Sequence, residues 1–335
     1  MPNQIRVLIV DDSALARQSL KEILSSDPDI EVIGEAHDGK EACEKTAALR
    51  PDVITMDITM PVMDGLQATE AIMEDIPTPI IMVSSLNVQV IVKALAMGAM
   101  DFVAVSQEID AISEDLIQKV KIASHVKALK RIKVSHVVRK PSIVRGGDIS
   151  KVIALGISTG GPQALQVVLS KIPVNFSAGI LIVQHISPGF IQGLVDWLSL
   201  TTPIHLQLAK TGDVLKSGMA MFAPDGYHMV IDDHDRIALK EDMSKKMLHV
   251  PSIDVLMHSV AESYRNDAVG VIMTGMGRDG VDGISAIKAA GGMTIAQDEK
   301  TSVIYGMNKL AVDKGVIDSV LPLERIADEM VRISK

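Results

Sequence analysis

Aromatic side chains and cysteine are nearly missing from this chain. Among 335 residues there are four Phe, three Tyr, one Trp and a single cysteine, Cys43. One cysteine makes no internal disulfide and builds no cysteine zinc site. So few rings cannot form the stacking platforms that hold single-stranded nucleic acid, and the formal net charge is −9. Both features argue against a nucleic-acid partner. No apolar run approaches the roughly 18–20 residues of a membrane span. At the N-terminus Val7-Leu8-Ile9-Val10 gives way at once to Asp11-Asp12, which is no signal peptide. No membrane insertion is expected, and a soluble cytoplasmic protein is. Disorder is excluded by a hydrophobic fraction of 47% against 22% charged residues. With aromatics scarce, nineteen Met together with Ile, Val, Leu and Ala must fill the cores.

What is present is unevenly placed. Residues 1–120 carry a net charge of −13, residues 121–151 carry +8 and residues 152–335 carry −4. At roughly 100–200 residues per domain the length suggests two domains. The basic segment, with Pro141 and Gly146-Gly147, reads as the linker between them. The expected organisation is a first domain over 1–124, a linker over 125–150 and a second domain over 151–335.

The first domain alternates short apolar runs with helical patterns. The runs are Val7–Val10, Val32–Ile33, Val53–Met56, Ile80–Val83 and Phe102–Val105. A helix is predicted over Ser13–Ser26, and another ends at Gly98. Five such units predict a parallel, doubly wound sheet, which binds ligands at the carboxyl ends of its strands. Asp11 and Asp12 follow the first strand, Asp57 the third and Ser84 the fourth. Three acids at one sheet edge repel each other unless they share a cation, and hard oxygen donors suit Mg²⁺. A carboxylate beside Mg²⁺ can accept a phosphoryl group.

The second domain opens with Val152-Ile153-Ala154-Leu155, then Gly156-Ile157-Ser158-Thr159-Gly160-Gly161-Pro162, then a helical stretch. Strand, Gly-x-Ser-x-Gly turn and helix is the context of a nucleophile elbow. His185 ends the buried-strand pattern Gly179–Gln184, and Asp279 lies in the Gly-rich loop after Val269–Thr274. Ser158, His185 and Asp279 therefore lie at the ends of parallel strands, where they can converge. A serine triad is defined by geometry and not by chain order. The acidic run Asp232–Asp235 is expected to be a hairpin turn between Met229–Ile231 and Ile237–Leu239 and not a metal site.

Two resemblances follow from these motifs. Val10-Asp11-Asp12-Ser13, Met56-Asp57, Met60-Pro61-Val62-Met63-Asp64-Gly65, Val83-Ser84 and Gly98-Ala99-Met100-Asp101-Phe102 resemble the receiver domain of two-component response regulators. That likeness implies phosphorylation at Asp57, Mg²⁺ held by Asp11, Asp12, Asp57 and the Thr59 carbonyl, Ser84 bonding the phosphate and Phe102 as the aromatic switch. Where receivers carry a Lys-Pro pair, this chain has Val105 and Ser106, so a weakened response to phosphorylation is expected. The second domain resembles the catalytic domain of the chemotaxis protein-glutamate methylesterases (CheB). The segments that carry the likeness are Gly156–Gly161, Gln184–Phe190, Phe222–Met229, Pro251–Leu256, Thr274–Gly280 and Ala296–Asp298. It implies Ser158 as nucleophile, His185 as base and then acid, and Asp279 orienting the imidazole. Thr159 and Met276 match positions lining the family's site, and their backbone N–H groups are oxyanion candidates. His228 and His249 lie in or near the matched segments.

The expected fold is therefore α/β, with two doubly wound parallel-sheet domains: a flavodoxin-like receiver, then a Rossmann-like three-layer α/β/α esterase. The resemblance implies demethylation of glutamate methyl esters, and deamidation of selected glutamines, on methyl-accepting chemotaxis receptors. A chemotaxis histidine kinase would be the phosphodonor. No cofactor is expected for hydrolysis, and a monomer is expected. The alternative is a signalling module that binds receptor or kinase without appreciable hydrolysis.

Overall fold

The computed structural model describes residues 4–84, 88–104, 109–125, 149–242 and 249–335. The chain divides into two compact units, Met1–Ile132 and Lys133–Lys335. Val105, Ser106 and residues 126–148 of the basic segment lie outside the described residues.

The first unit alternates β1 (Ile5–Val10), α1 (Ala14–Ser25), β2 (Ile30–Ala36), α2 (Gly39–Leu49), β3 (Val53–Met56), α3 (Gly65–Asp75), β4 (Ile80–Ser84), α4 (Val88–Met97), β5 (Asp101–Ala104) and α5 (Ile109–Ser124). Its strands pair in parallel in the order β2-β1-β3-β4-β5. Helices α1 and α5 pack together, and α3 packs between α2 and α4. Continuous apolar runs suit such strands, because both faces of the sheet are covered. Val7, Leu8, Ile9, Val53 and Ile54 are wholly buried. Ser13 caps α1 by accepting from the Ala16 amide at 3.3 Å, and Leu20 and Leu24 turn inward one helical turn apart. The chain reverses winding direction between β1 and β3, which opens a crevice at their carboxyl ends.

The second unit begins with β6 (Val152–Ile157), α6 (Gly161–Leu169), β7 (Gly179–Gln184), α7 (Ile191–Ser199), β8 (His205–Leu208) and β9 (Met219–Phe222). A hairpin follows, β10 (His228–Ile231) and β11 (Ile237–Lys240), then α8 (Ile253–Tyr264) and β12 (Ala268–Ile272). The chain ends with α9 (Val281–Ala289), β13 (Met293–Gln297), α10 (Met307–Asp313), β14 (Ser319–Leu321) and α11 (Leu323–Ile333). Seven strands pair in parallel in the order β14-β13-β12-β6-β7-β9-β8. Helix α8 packs on α9 and β10, while α6 packs on α7 and α11. The antiparallel hairpin matches the expected one. In its turn, Asp232 accepts from the His234 and Arg236 amides at 2.8 and 2.9 Å, which explains the acidic run as turn chemistry.

Candidate active site and acidic pocket

In the second unit β12, β6 and β7 are neighbours, so the residues that follow them meet at one sheet edge. Ser158 follows β6 directly. Its amide donates to the Thr274 carbonyl at 3.0 Å, and its own carbonyl accepts from Gly161 at 2.8 Å and from Gln184 Nε2 at 2.9 Å. The turn needs its glycines. Gly160 has φ +77°, and a Cβ on Gly161 would sit 1.9 Å from Gln184 Oε1. A Cβ on Gly275, just past β12, would lie 2.6 Å from the Ser158 Cβ, so the two loops abut.

His185 follows β7, its amide donating to the Ile157 carbonyl at 3.0 Å. Its Nε2 meets Asp279 Oδ2 at 2.9 Å, with both side chains about nine-tenths buried. Asp279 also accepts from the Ser252 hydroxyl at 2.8 Å, the Ile253 amide at 2.8 Å and the Asp254 amide at 2.9 Å. Burial by itself would raise the Asp279 pKa. The hydrogen bonds from His185 and from the Asp254 and Ile253 amides outweigh it and hold the carboxyl at about 2. An ionised carboxylate only accepts, so the His185 proton belongs on Nε2 and Nδ1 is left as a base. Nδ1 is buried and has no hydrogen-bond partner among the described residues. The His249 ring stacks on His185, with centroids 4.2 Å apart and 17° between planes. Burial first, and the facing His185 second, lower the His249 pKa.

Thr159 and Met276 flank this edge, Met276 being 47% exposed. Among the described residues neither amide donates to an acceptor. Ser252 and Gln184 were not singled out as site residues from the sequence, and His249 was named there only as a histidine of the matched regions. Ser252 carried a usable signal, a serine directly ahead of a helical apolar pattern. The Gln184 amide, sewn to the carbonyls of Ser158 and His185, carried none.

In the first unit, ligand oxygens of Asp11, Asp12 and Asp57 lie within 4.8 Å of one another at the β1–β3 crevice. Burial raises the Asp11 pKa, and the Asp57 and Asp12 charges add to it against the Ser13 amide and Arg17. Burial likewise raises Asp57, against hydrogen bonds from the Ile58 and Thr59 amides and the Ser84 side chain. Arg17 Nη1 donates to the Asp11 and Asp12 carbonyls at 2.8 and 3.2 Å. Phe102 is buried at 2% exposure. Lys119 of α5 donates to the Phe102 carbonyl at 2.6 Å and stands 5.4 Å from the ring centroid, a contact the sequence did not announce.

Fold and sites together define a two-domain α/β protein: a receiver-type sheet with an acidic pocket, then a hydrolase-type sheet with a Ser, His and Asp at its edge. Comparison with known proteins gives the same division. The response regulator receiver domain family matches residues 7–117, and the CheB methylesterase family matches residues 153–330. A protein-glutamate methylesterase/protein-glutamine glutaminase of Pyrococcus abyssi is 42% identical over 98% of this chain and 93% of its own length. A protein of the same description from Halalkalibacterium halodurans is 40% identical over the whole of both chains. The crystal structure of the Thermotoga maritima CheB methylesterase catalytic domain superposes with a TM-score of 0.53 at 34% identity, covering 55% of this chain and 98% of that one. The chain belongs to the CheB methylesterase family, with a receiver domain ahead of its catalytic domain.

Proposed function

We propose that Ser158, His185 and Asp279 carry out hydrolysis of glutamate methyl esters, and of selected glutamine amides, on methyl-accepting chemotaxis receptors. The observation that carries this reading is the His185–Asp279 pair at 2.9 Å, which leaves a buried, unpartnered Nδ1 beside the strand end that bears Ser158. His185 Nδ1 takes the Ser158 hydroxyl proton as Oγ attacks the ester carbonyl. The tetrahedral oxyanion is met by the Thr159 and Met276 amides, which have no other acceptor among the described residues. His185 then hands the proton to the departing methoxide, and methanol leaves an acyl-enzyme. Water, deprotonated by the same nitrogen, frees glutamate and Ser158. With a glutamine the leaving group is ammonia. Asp279 stays ionised throughout and stabilises the imidazolium. The chemistry needs no cofactor.

The receiver is read as the control element, with Asp57 accepting a phosphoryl group from a chemotaxis histidine kinase. The donor set fits a hard divalent cation: three carboxylates converge, and burial and neighbouring charge disfavour ionisation of Asp11 and Asp57 without one. Asp11, Asp12, Asp57 and the Thr59 carbonyl would hold Mg²⁺, which when bound neutralises charge on the transferring phosphoryl group. Ser84, whose side chain hydrogen-bonds Asp57, is read as bonding the phosphate, and Phe102 as the aromatic switch. Domains over 1–124 and 151–335 joined by the basic segment 125–150, a cytoplasmic location and a monomeric state complete the reading. The test is methanol release from methylated receptor membranes, wild type against Ser158→Ala, with and without a phosphoryl donor. Wild-type protein that binds receptor and releases no methanol would overturn the enzyme reading in favour of a binding module.

A further inference from the structure

Asp279 is bound in the way an anion is bound at a helix N-terminus, and the helix belongs to a different part of the chain. Its Oδ1 accepts from the Ser252 hydroxyl and the Asp254 amide, and its Oδ2 from the Ile253 amide and His185 Nε2. Three of these donors come from the N-cap and the first two residues of α8, more than twenty positions before Asp279. The amides of a helix's first turn lack intrahelical acceptors and carry partial positive charge, so a carboxylate there is held and kept ionised. Ser252 adds the one side-chain donor. It is 1% exposed, so its hydroxyl has little water to turn to. The same oxygen accepts only a long bond from the Val255 amide, 3.3 Å, against 2.8 Å for the bond it donates to Asp279. Its backbone is fixed as well, the Ser252 amide donating to Nδ1 of the buried His228 at 3.1 Å. His228 is thereby locked with its proton on Nε2.

We propose that Ser252 is a positioning residue for the hydrolysis, its hydroxyl fixing the Asp279 carboxylate in the plane that aims His185 Nδ1 at Ser158. This rests on the triad assigned above. A carboxylate held at both oxygens cannot swing, so the Nε2 hydrogen bond sets the tilt of the imidazole, and the stacked His249 sets its face. The ionisable groups coupled to the pair are His249 before α8, Asp254 within α8 and His228 on β10, with Asp282 on α9 acting on Asp254 and Asp242 after β11 acting on His228. Asp254 is itself tied to the Gly283 amide at 2.6 Å. Ser252→Gly leaves all of them in place. Removing the hydroxyl takes one donor from Asp279, leaving more of its charge to hold the His185 imidazolium. The acidic limb of the rate profile then moves to higher pH.

The experiment uses the full-length chain on methylated receptor membranes, following methanol release across pH for Ser252→Gly, Ser252→Thr and Asp279→Asn. Glycine is a tolerated helix cap, so Ser252→Gly removes the donor with little loss of helix. The expected result is a fall in kcat of about tenfold with KM held within about twofold, the scale of losing one charge-assisted hydrogen bond. The acidic limb shifts up by about half a pH unit, and Ser252→Thr restores both. A Ser252→Gly protein with a lowered melting temperature but unchanged kcat and limb would reduce Ser252 to a helix cap and overturn the proposal. Asp279→Asn separates that outcome from a failure of the triad. If it too leaves the rate intact, the triad reading has failed; if it collapses the rate while Ser252→Gly does not, only the role of Ser252 has.

Discussion

The two sheets place carboxylates at the same kind of address, the carboxyl ends of parallel strands, and treat them in opposite ways. In the first unit Asp11, Asp12 and Asp57 face one another, and burial raises the pKa of Asp11 and Asp57. In the second, Asp279 is also buried, yet hydrogen bonds from His185 and from the Asp254 and Ile253 amides bring it down to about 2. The difference lies in who supplies the positive partner. Asp279 is fully served by the protein itself: a helix N-terminus, a hydroxyl and an imidazole. The acidic trio is under-served and gains most from a cation brought from outside. A site that must work on its own is internally compensated, whereas one that must respond is left short of charge.

The sharpest way to break this comparison is at the nucleophile. Ser158→Ala should lower methanol release by about 10⁴-fold or more, while phosphoryl label on the receiver persists; a loss under tenfold would remove Ser158 from the mechanism. In the other sheet, Asp57→Asn should reduce label from a small phosphoryl donor to background. Asp11→Asn should weaken Mg²⁺ binding by about tenfold or more, read by titration calorimetry. Packing at the elbow comes next. Gly161→Ala drives a Cβ into Gln184 and should cost about 1–3 kcal/mol in denaturant unfolding.

Acid sensitivity should then carry opposite signs in the two units. The lowered Asp279 stabilises the fold above its unfolded pKa of about 3.9, and that contribution is lost as pH falls toward about 2. Asp11 and Asp57 are raised, so ionising them destabilises the metal-free fold as pH rises through their folded values. Melting curves against pH should show Mg²⁺ restoring stability above that range and having little effect below it. Equal effects of Mg²⁺ at every pH would contradict the direction of these shifts. Smallest of all, Val105→Lys should increase the activation produced by a phosphoryl donor about threefold, by adding a charge-assisted bond to the phosphate. A full-strength response in the wild type would show that position 105 does not limit the switch.

Much of the architecture was legible because buried parallel strands are written as unbroken apolar runs. Val53–Met56 coincides with β3, and Gly179–Gln184 with β7. Ser13–Ser26 brackets α1 with its two caps. The edges were not legible. The strand β14 is three residues long with partly exposed side chains, and β8 is mostly half-buried, so neither contrasts with a loop. In the candidate active site, the side chains proposed to carry the chemistry stood out by type and by position after strands. Their supporting donors did not, because the Ile253 and Asp254 amides belong to the backbone and have no side-chain signature.

By itself the sequence determined which reactive groups exist and which strand ends carry them, since strand periodicity and Gly-rich turns are local properties of the chain. It set Ser158, His185 and Asp279 at three strand ends, and Asp11, Asp12 and Asp57 at two others. Tertiary structure alone decided that β12, β6 and β7 are neighbours, that His185 meets Asp279 through Nε2 and leaves Nδ1 without a partner among the described residues, and that the N-terminus of α8 abuts Asp279. A pKa and a tautomer depend on which donors arrive from distant segments and on how far water is excluded. Both are fixed only when the sheet is assembled.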